Sequence, residues 1–214
     1  LWEYASAGTG GGKPVQGAAP IITITTTAGT GTECDPWGVI TNEETQEKLD
    51  FGTEAAFPVI SIIDPELMLT LPRSLTLYQG FDALFHAVEC YIANVAVKLT
   101  NLYCLEAVKI VSKWLPVVAQ DGSNLEARTH ISYAANVLCG LAQSLSATTS
   151  PHIMGQTMSG LYPGLAHGAS LIVTAEEYYK AIIAKGFIPE MLDELGVAMN
   201  PGVVADGTGK CFLD

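Results

Sequence analysis

Two short β-branched runs, each opened by a proline, mark the first part of the chain. Residues 20–25 (Pro-Ile-Ile-Thr-Ile-Thr) and residues 58–63 (Pro-Val-Ile-Ser-Ile-Ile) each predict a buried β-strand. Residues 39–41 predict a further strand, which runs into a turn at residues 42–44. The pattern is typical of an α/β arrangement, and we place the end of this part at Pro72.

The hydrophobic rhythm becomes helical after this boundary. In the second of the predicted helices, for example, apolar side chains recur every three or four residues. The segment Tyr162-Pro163-Gly164 ends the last of them, and Pro151 suits the first turn of that same helix. After Pro189 the helical signal fades, and residues 202–210, which are rich in glycine, predict no defined element. The predicted helices cover residues 76–94, 101–118 and 126–145, and a segment that begins at Ser150.

Composition narrows the class of protein. The chain has 214 residues, of which 49% are hydrophobic and 15% charged, which excludes a disordered chain. Its formal net charge of −12 argues against nucleic acid or an anionic membrane as a partner. No run of about 20 apolar residues indicates a membrane span. The five cysteines are scattered and form no Cys-x-x-Cys pair, which is typical of reduced thiols in a cytoplasmic protein.

Residues 26–33 (Thr-Thr-Ala-Gly-Thr-Gly-Thr-Glu), here called the threonine loop, directly follow the first predicted strand. Its glycines allow the backbone to approach a ligand closely, and its hydroxyls supply hydrogen-bonding groups for a phosphate or a ribose. A threonine-rich turn without a ligand is an equally good interpretation of the loop taken alone.

One carboxylate and three imidazoles suggest a metal site. Asp82 and His86 are four residues apart in a predicted helix, so both side chains lie on one face. His152 and His167 are fifteen residues apart, about 22 Å along a straight helix, but the break at Pro163-Gly164 lets the chain fold back. This set suits Fe(II) or Zn(II) with a position left for substrate or water. The alternative is a set of hydrogen-bonded core histidines.

Taken together, the motifs resemble those of the iron-containing (group III) alcohol dehydrogenase family, close to its butanol-dehydrogenase-like members. The similarity extends over roughly residues 1–180, and the order and spacing of the motifs match the family. The matching segments are TTAGTGTE (26–33), VITNE (39–43), IIDPELM (62–68), GFDALFHAVE (80–89) and HIMGQTMSGLYPGLAHG (152–168).

The resemblance implies a two-domain enzyme of dehydroquinate synthase-like architecture, with the active site in the cleft between the domains. Residues 1–72 would form the C-terminal part of an α/β nucleotide-binding domain. Residues 73–214 would form an all-helical metal-binding domain, itself incomplete. The resemblance further implies a homodimer.

It also implies roles for individual residues. The metal, Fe(II) or Zn(II), would polarise the oxygen of a primary alcohol or aldehyde while hydride passes to or from NAD or NADP. No catalytic side chain beyond the metal ligands is implied. The implied metal ligands are Asp82, His86, His152 and His167. The implied cofactor contacts are Thr26, Thr27, Thr30 and Lys48.

Two departures from the family pattern lead to further expectations. The family's Gly-Gly-Gly-Ser pyrophosphate segment is absent, so we expect a fragment or a truncated relative whose own activity is in question. Many members carry a histidine where Gln156 stands, which affects proton transfer rather than metal binding. Two alternatives stay open: a metal-dependent hydrolase or lyase on the same scaffold, and a truncated non-catalytic relative.

Overall fold

The structure, a computed structural model, describes residues 1–5 and 7–213, with β-strands before residue 64 and α-helices from residue 73. Asp214, the last residue of the predicted helical domain, lies outside the described residues. This order of elements is the one that the hydrophobic pattern predicts. The first α-helix begins at Arg73, directly after the predicted boundary.

The strands form two separate pairs. β1 (Ile22–Thr25) pairs in parallel with β4 (Ile60–Ile63). β2 (Trp37–Asn42) pairs with β3 (Glu47–Gly52) in an antiparallel hairpin. The sequence did not predict β3, which carries three charged side chains in six residues and lacks the β-branched run that marks the others.

The prediction that β1 and β4 are buried strands is wrong for the described chain. Ile22 and Ile24 are 62% and 60% exposed, and Ile60 and Ile62 are 55% and 46% exposed. The reason is that, among residues 1–5 and 7–213, only these two strands form their sheet. Their apolar side chains therefore remain open on the surface.

Up to residue 161 the α-helices lie where the hydrophobic pattern predicts them, and the described chain has further α-helices after that residue. The predicted segment 126–145 is interrupted by π-helical turns at Tyr133–Cys139. The helical signal of the sequence fades after Pro189, yet a helix begins at that proline and buries Leu192 and Leu195. The α-helices of the described chain are α1 (Arg73–Ile92), α2 (Lys98–Gln120), α3 (Leu125–Ser132), α4 (Gly140–Leu145), α5 (Ser150–Leu161), α6 (His167–Ala184) and α7 (Pro189–Met199).

The core lies between α1, α2 and the helices that pack on them. Fully buried aliphatic side chains from α1, α2 and α6, such as Val88, Val108 and Leu171, meet there. Burying each such side chain contributes about 1.5–3 kcal/mol, so the helices are held firmly in place. Among the described residues, no helix is both long and apolar enough to cross a bilayer.

Candidate metal centre

The carboxylate of the predicted site comes from the middle of α1. Asp82 and His86 lie one helical turn apart, and both side chains are buried. α1 reaches this position because the face that carries them packs against the helical core. The helix therefore presents a carboxylate and an imidazole from a rigid element.

The other two imidazoles come from the starts of α5 and α6. His152 is the third residue of α5, which begins with Ser150 and Pro151. His167 opens α6 after the break at residues 162–166, so the predicted reversal of the chain occurs. α6 lies close to α1 at Gly168, where a Cβ atom would overlap the Tyr78 carbonyl oxygen.

All three imidazoles converge on one oxygen atom. The Nε2 atoms of His152 and His167 each lie 3.4 Å from Asp82 Oδ1, and His86 Nε2 lies 3.7 Å from it. Two ligand atoms that are both about 2.1 Å from a tetrahedral ion would be about 3.4 Å apart. The structure therefore brings the four predicted ligands together, with each histidine Nε2 near this distance from Asp82 Oδ1.

Unpartnered polar atoms support the same fit. Asp82 Oδ1 and His152 Nε2 are buried and have no hydrogen-bond partner. Buried polar groups without a partner are costly, and an ion bound between them would satisfy both. Ligand atoms of Asp82, His86 and His152 lie within 4.8 Å of one another. The donor set of three nitrogens and one oxygen suits Fe(II) or Zn(II).

In two of the three imidazole rings, the nitrogen that faces away from Asp82 is held by a hydrogen bond. His86 Nδ1 lies 3.1 Å from the Gly29 carbonyl oxygen, and His152 Nδ1 lies 2.6 Å from Glu89 Oε1. Since both partners are acceptors, Nδ1 carries the proton in the neutral form of each ring, and Nε2 then has its lone pair toward Asp82. This is the tautomer that metal binding needs.

The electrostatics of the cluster favour a cation. Burial would raise the pKa of Asp82, but the imidazoles of His86, His152 and His167 outweigh it and hold the pKa well below its usual range. Burial lowers the pKa of His86 to about 4. Burial would also lower the pKa of His152, yet the carboxylates of Glu89 and Asp82 raise it to about 9. The same carboxylates that favour a proton on His152 also favour a metal cation, which would take the place of the Nε2 proton.

The threonine loop is tied to the helices by side-chain amides. Gln143 Nε2 donates to the Thr30 carbonyl at 2.9 Å, and Asn136 Nδ2 donates to the Thr27 carbonyl at 2.8 Å. Gly31 has φ of +75°, and a side chain there would collide with Gln143 and Gly140. Because Gly29 also meets His86, the loop and the ligand cluster form one connected unit.

A cavity of about 410 Å³ opens above the cluster. Its wall includes all four predicted ligands, and Gln156. Of the predicted cofactor residues only Thr30 lines it; Thr26, Thr27 and Lys48 lie outside the described cavity wall, and β3 contributes Asp50 instead. Trp37, Val39 and Ile153 supply apolar wall, so the cavity combines a polar floor with apolar sides.

Several residues of this region were not predicted from the sequence. Glu89 stands three residues after His86 and seven after Asp82, so helical spacing alone places it on the same face. Asn136 and Gln143 carry no comparable signal, because their partners lie more than a hundred residues away in the chain. Thr32 and Trp37 also line the cavity. Their place there depends on the path of the backbone through and after the threonine loop, which the sequence alone does not show.

Family models match both parts of the chain. Residues 76–202 match "Fe-containing alcohol dehydrogenase family, C-terminal", and residues 1–65 match "Iron-containing alcohol dehydrogenase". Choline dehydrogenase of Bacillus subtilis is 39% identical over 159 residues, which are 74% of this chain and 39% of that protein. NAD-dependent methanol dehydrogenase of Bacillus methanolicus is 36% identical over 156 residues, 73% of this chain and 40% of that protein. The chain thus spans about two fifths of the length of these relatives.

Solved structures give the same result for the fold. A mutant of an archaeal halo-thermophilic alcohol dehydrogenase from a Red Sea brine pool superposes with a TM-score of 0.92 at 30% identity. The match covers 99% of this chain and 53% of that one. The predicted fold class, a partial α/β part followed by a helical part of the iron-containing alcohol dehydrogenase type, is confirmed.

Proposed function

Because the chain belongs to the iron-containing alcohol dehydrogenase family, we propose that it takes part in metal-dependent transfer of hydride between a primary alcohol or aldehyde and NAD. One observation carries the proposal. Three imidazole Nε2 atoms converge on Asp82 Oδ1 at the floor of a cavity that the threonine loop also lines. Substrate and cofactor would therefore meet directly above the ligand cluster.

We propose Asp82, His86, His152 and His167 as the metal ligands. A metal bound there supplies Lewis acidity toward the alcohol or aldehyde oxygen. The chain's own residues supply position: Asp82, His86 and His152 are buried and His167 is half-buried, all four lie on helices, and two of the rings are held by hydrogen bonds from Nδ1. Iron is the ion we propose, in agreement with the family, while zinc suits the same donors.

The cavity wall serves the substrate and its proton. Trp37, Val39 and Ile153 offer apolar contacts for the carbon that gains or loses hydride. The hydroxyls of Thr30 and Thr32 lie 3.2 Å apart at the same wall and are exposed, so they offer a path for the alcohol proton to solvent. Gln156 can hydrogen-bond to the substrate but cannot take up its proton near neutral pH.

The cofactor is proposed to lie against the threonine loop. Contacts from Thr26, Thr27, Thr30 and Lys48 remain proposals, of which Thr30 has the best support because it faces the cavity. NAD is favoured over NADP because one relative, the methanol dehydrogenase of Bacillus methanolicus, is NAD-dependent. Residues 1–72 and 73–214 are proposed as the cofactor and metal domains.

A homodimer and a cytoplasmic location complete the proposal. The exposed isoleucines of β1 and β4 leave an apolar surface that further protein could cover. Cys34, Cys90, Cys104 and Cys139 are free thiols, which suits a reducing compartment.

The test is NADH formation by the chain loaded anaerobically with Fe(II), given a primary alcohol and NAD. Turnover that requires iron and is lost in Asp82→Ala would support the proposal. Hydrolysis of an ester or phosphate without NAD would favour a hydrolase instead. Tight iron binding without turnover of any kind would favour a non-catalytic relative.

A further inference from the structure

Glu89 is the most deeply buried carboxyl group near the ligand cluster. It lies on α1, one turn beyond His86, and its exposure is 0%. A carboxylate in that position is costly unless several donors satisfy it. The groups that donate hydrogen bonds to Glu89 therefore indicate the role of this side chain.

Within residues 1–5 and 7–213, every hydrogen bond that Glu89 accepts comes from the start of α5. Oε1 accepts from His152 Nδ1 at 2.6 Å. Oε2 accepts from the Thr149 backbone N–H at 2.6 Å, from the Thr149 hydroxyl at 3.2 Å and from the His152 backbone N–H at 3.4 Å. One side chain of α1 thus binds both the ring of His152 and the backbone that carries it.

The hydrogen bonds from backbone N–H groups to Glu89 cap the start of α5 with a side chain from another helix, α1. Thr149 is the N-cap residue of α5, and its own side chain caps no backbone N–H group. Pro151 has no N–H to satisfy, so the His152 N–H is an unpaired donor of the first turn, and Glu89 accepts it. A negative charge at this end also interacts favourably with the helix dipole.

We propose that Glu89 is a positioning residue for the metal centre, which holds His152 by its ring and its backbone so that Nε2 meets Asp82. The inference rests on the proposed function, because holding His152 in place affects metal binding only if His152 is a metal ligand. A carboxylate–histidine pair of this kind fixes the tautomer and raises the basicity of the ring as a ligand. Capping by the same carboxylate limits the sliding of α5 along α1.

The surroundings strengthen both bonds. Burial raises the pKa of Tyr179 well above its usual range, and the Glu89 charge raises it further, so this carboxylate lies in a weakly screened environment. Hydrogen bonds to a charged group in such surroundings exceed ordinary ones. An amide in place of the carboxylate can accept from either the ring or the backbone, but its NH₂ group then faces a donor on the other side.

The experiment measures Zn²⁺ affinity of the full chain by competition with a chromophoric chelator, and the visible spectrum of bound Co²⁺. Glu89→Gln should weaken Zn²⁺ binding by about 10–100-fold and alter the Co²⁺ spectrum, because the His152 ring is no longer held. Thr149→Ala removes one hydrogen bond to Glu89 and leaves the ring bond intact, so affinity and spectrum should stay near those of the unmodified chain.

A second control separates positioning from stability. Asp193→Asn alters another buried carboxyl group, one that accepts from the Gly207 and Gly209 N–H groups. This variant should lower the melting temperature without changing Zn²⁺ affinity. If Glu89→Gln does not fold, Glu89→Asp, which keeps the charge but shortens the side chain, replaces it and should weaken binding in the same range.

Each result has a distinct meaning. Equal Zn²⁺ affinity and identical Co²⁺ spectra in Glu89→Gln and the unmodified chain would overturn the inference and leave the proposed function standing. If the unmodified chain bound no Zn²⁺, the ligand set of the proposed function would be wrong, and the inference with it.

Discussion

The Asp82 carboxylate is the group on which the metal centre depends most, and replacing it with an amide of the same shape isolates its charge. Asp82→Asn keeps the size of the side chain, and the helical core around α1 needs no repacking. The variant loses the anion on which the three Nε2 atoms converge at 3.4–3.7 Å. We therefore expect the fold to persist while metal binding weakens.

The size of the effect follows from ligand linkage. A metal at 1,000 times its Kd adds about 4 kcal/mol to the free energy of unfolding. For a chain of this size each kcal/mol raises the melting temperature by about 2–4 °C, so metal should raise it by about 8–16 °C. If the amide weakens binding about 100-fold, about 1.4 kcal/mol remains, which corresponds to a rise of about 3–6 °C.

The assay is thermal unfolding followed by circular dichroism, with Zn²⁺ or with a chelator, for each variant. Asp50→Asn is the matched control, because Asp50 lines the same cavity but is exposed and is not a proposed ligand. It should keep the full rise in melting temperature. An undiminished rise in Asp82→Asn would refute the assignment of Asp82 as a ligand.

Three further predictions concern other parts of the cavity region. Burial raises the pKa of the Asp35 carboxyl group from 3.8 to about 7, so the native state loses stability as pH rises through that range. Asp35→Asn does not titrate, so its free energy of unfolding in urea should rise relative to that of the unmodified chain, by up to about 4 kcal/mol between about pH 4 and pH 8. Parallel pH profiles of the two proteins would contradict this. Gln143→Ala removes the hydrogen bond to the Thr30 carbonyl, so amide hydrogen exchange in the threonine loop should accelerate. An unchanged exchange rate would show that this hydrogen bond does not stabilise the loop. Gln156→His adds a group that titrates near neutral pH, so alcohol oxidation by the iron-loaded chain should rise, and an equal rate would rule out proton transfer at this position.

Local patterns in the sequence account for much of the fold and for the grouping of the ligands. The spacing of Asp82 and His86 places them on one helix face, and the break at Pro163-Gly164 returns His167 to His152. Both features depend on backbone geometry within a few residues, which a sequence reveals directly.

Other features depend on contacts between distant segments. β3 is a polar strand held by its hairpin partner, and α7 is a short helix recognisable by its buried leucines only after it has packed. Whether β1 and β4 are covered is likewise decided by what lies against them, not by their own β-branched residues. Gln143 and Asn136 reach the threonine loop because the π-helical turns and α4 pack beside it, which no local pattern encodes.

The metal content of the chain tests the central claim most directly. We would purify the chain anaerobically with Fe(II) supplied and determine iron per chain by elemental analysis, alongside Asp82→Ala and His152→Ala. With Asp82 and His152 as ligands, we expect close to one tightly bound ion per chain in the unmodified protein and almost none in either variant. No bound iron in the unmodified chain, or equal iron in all three proteins, would contradict it.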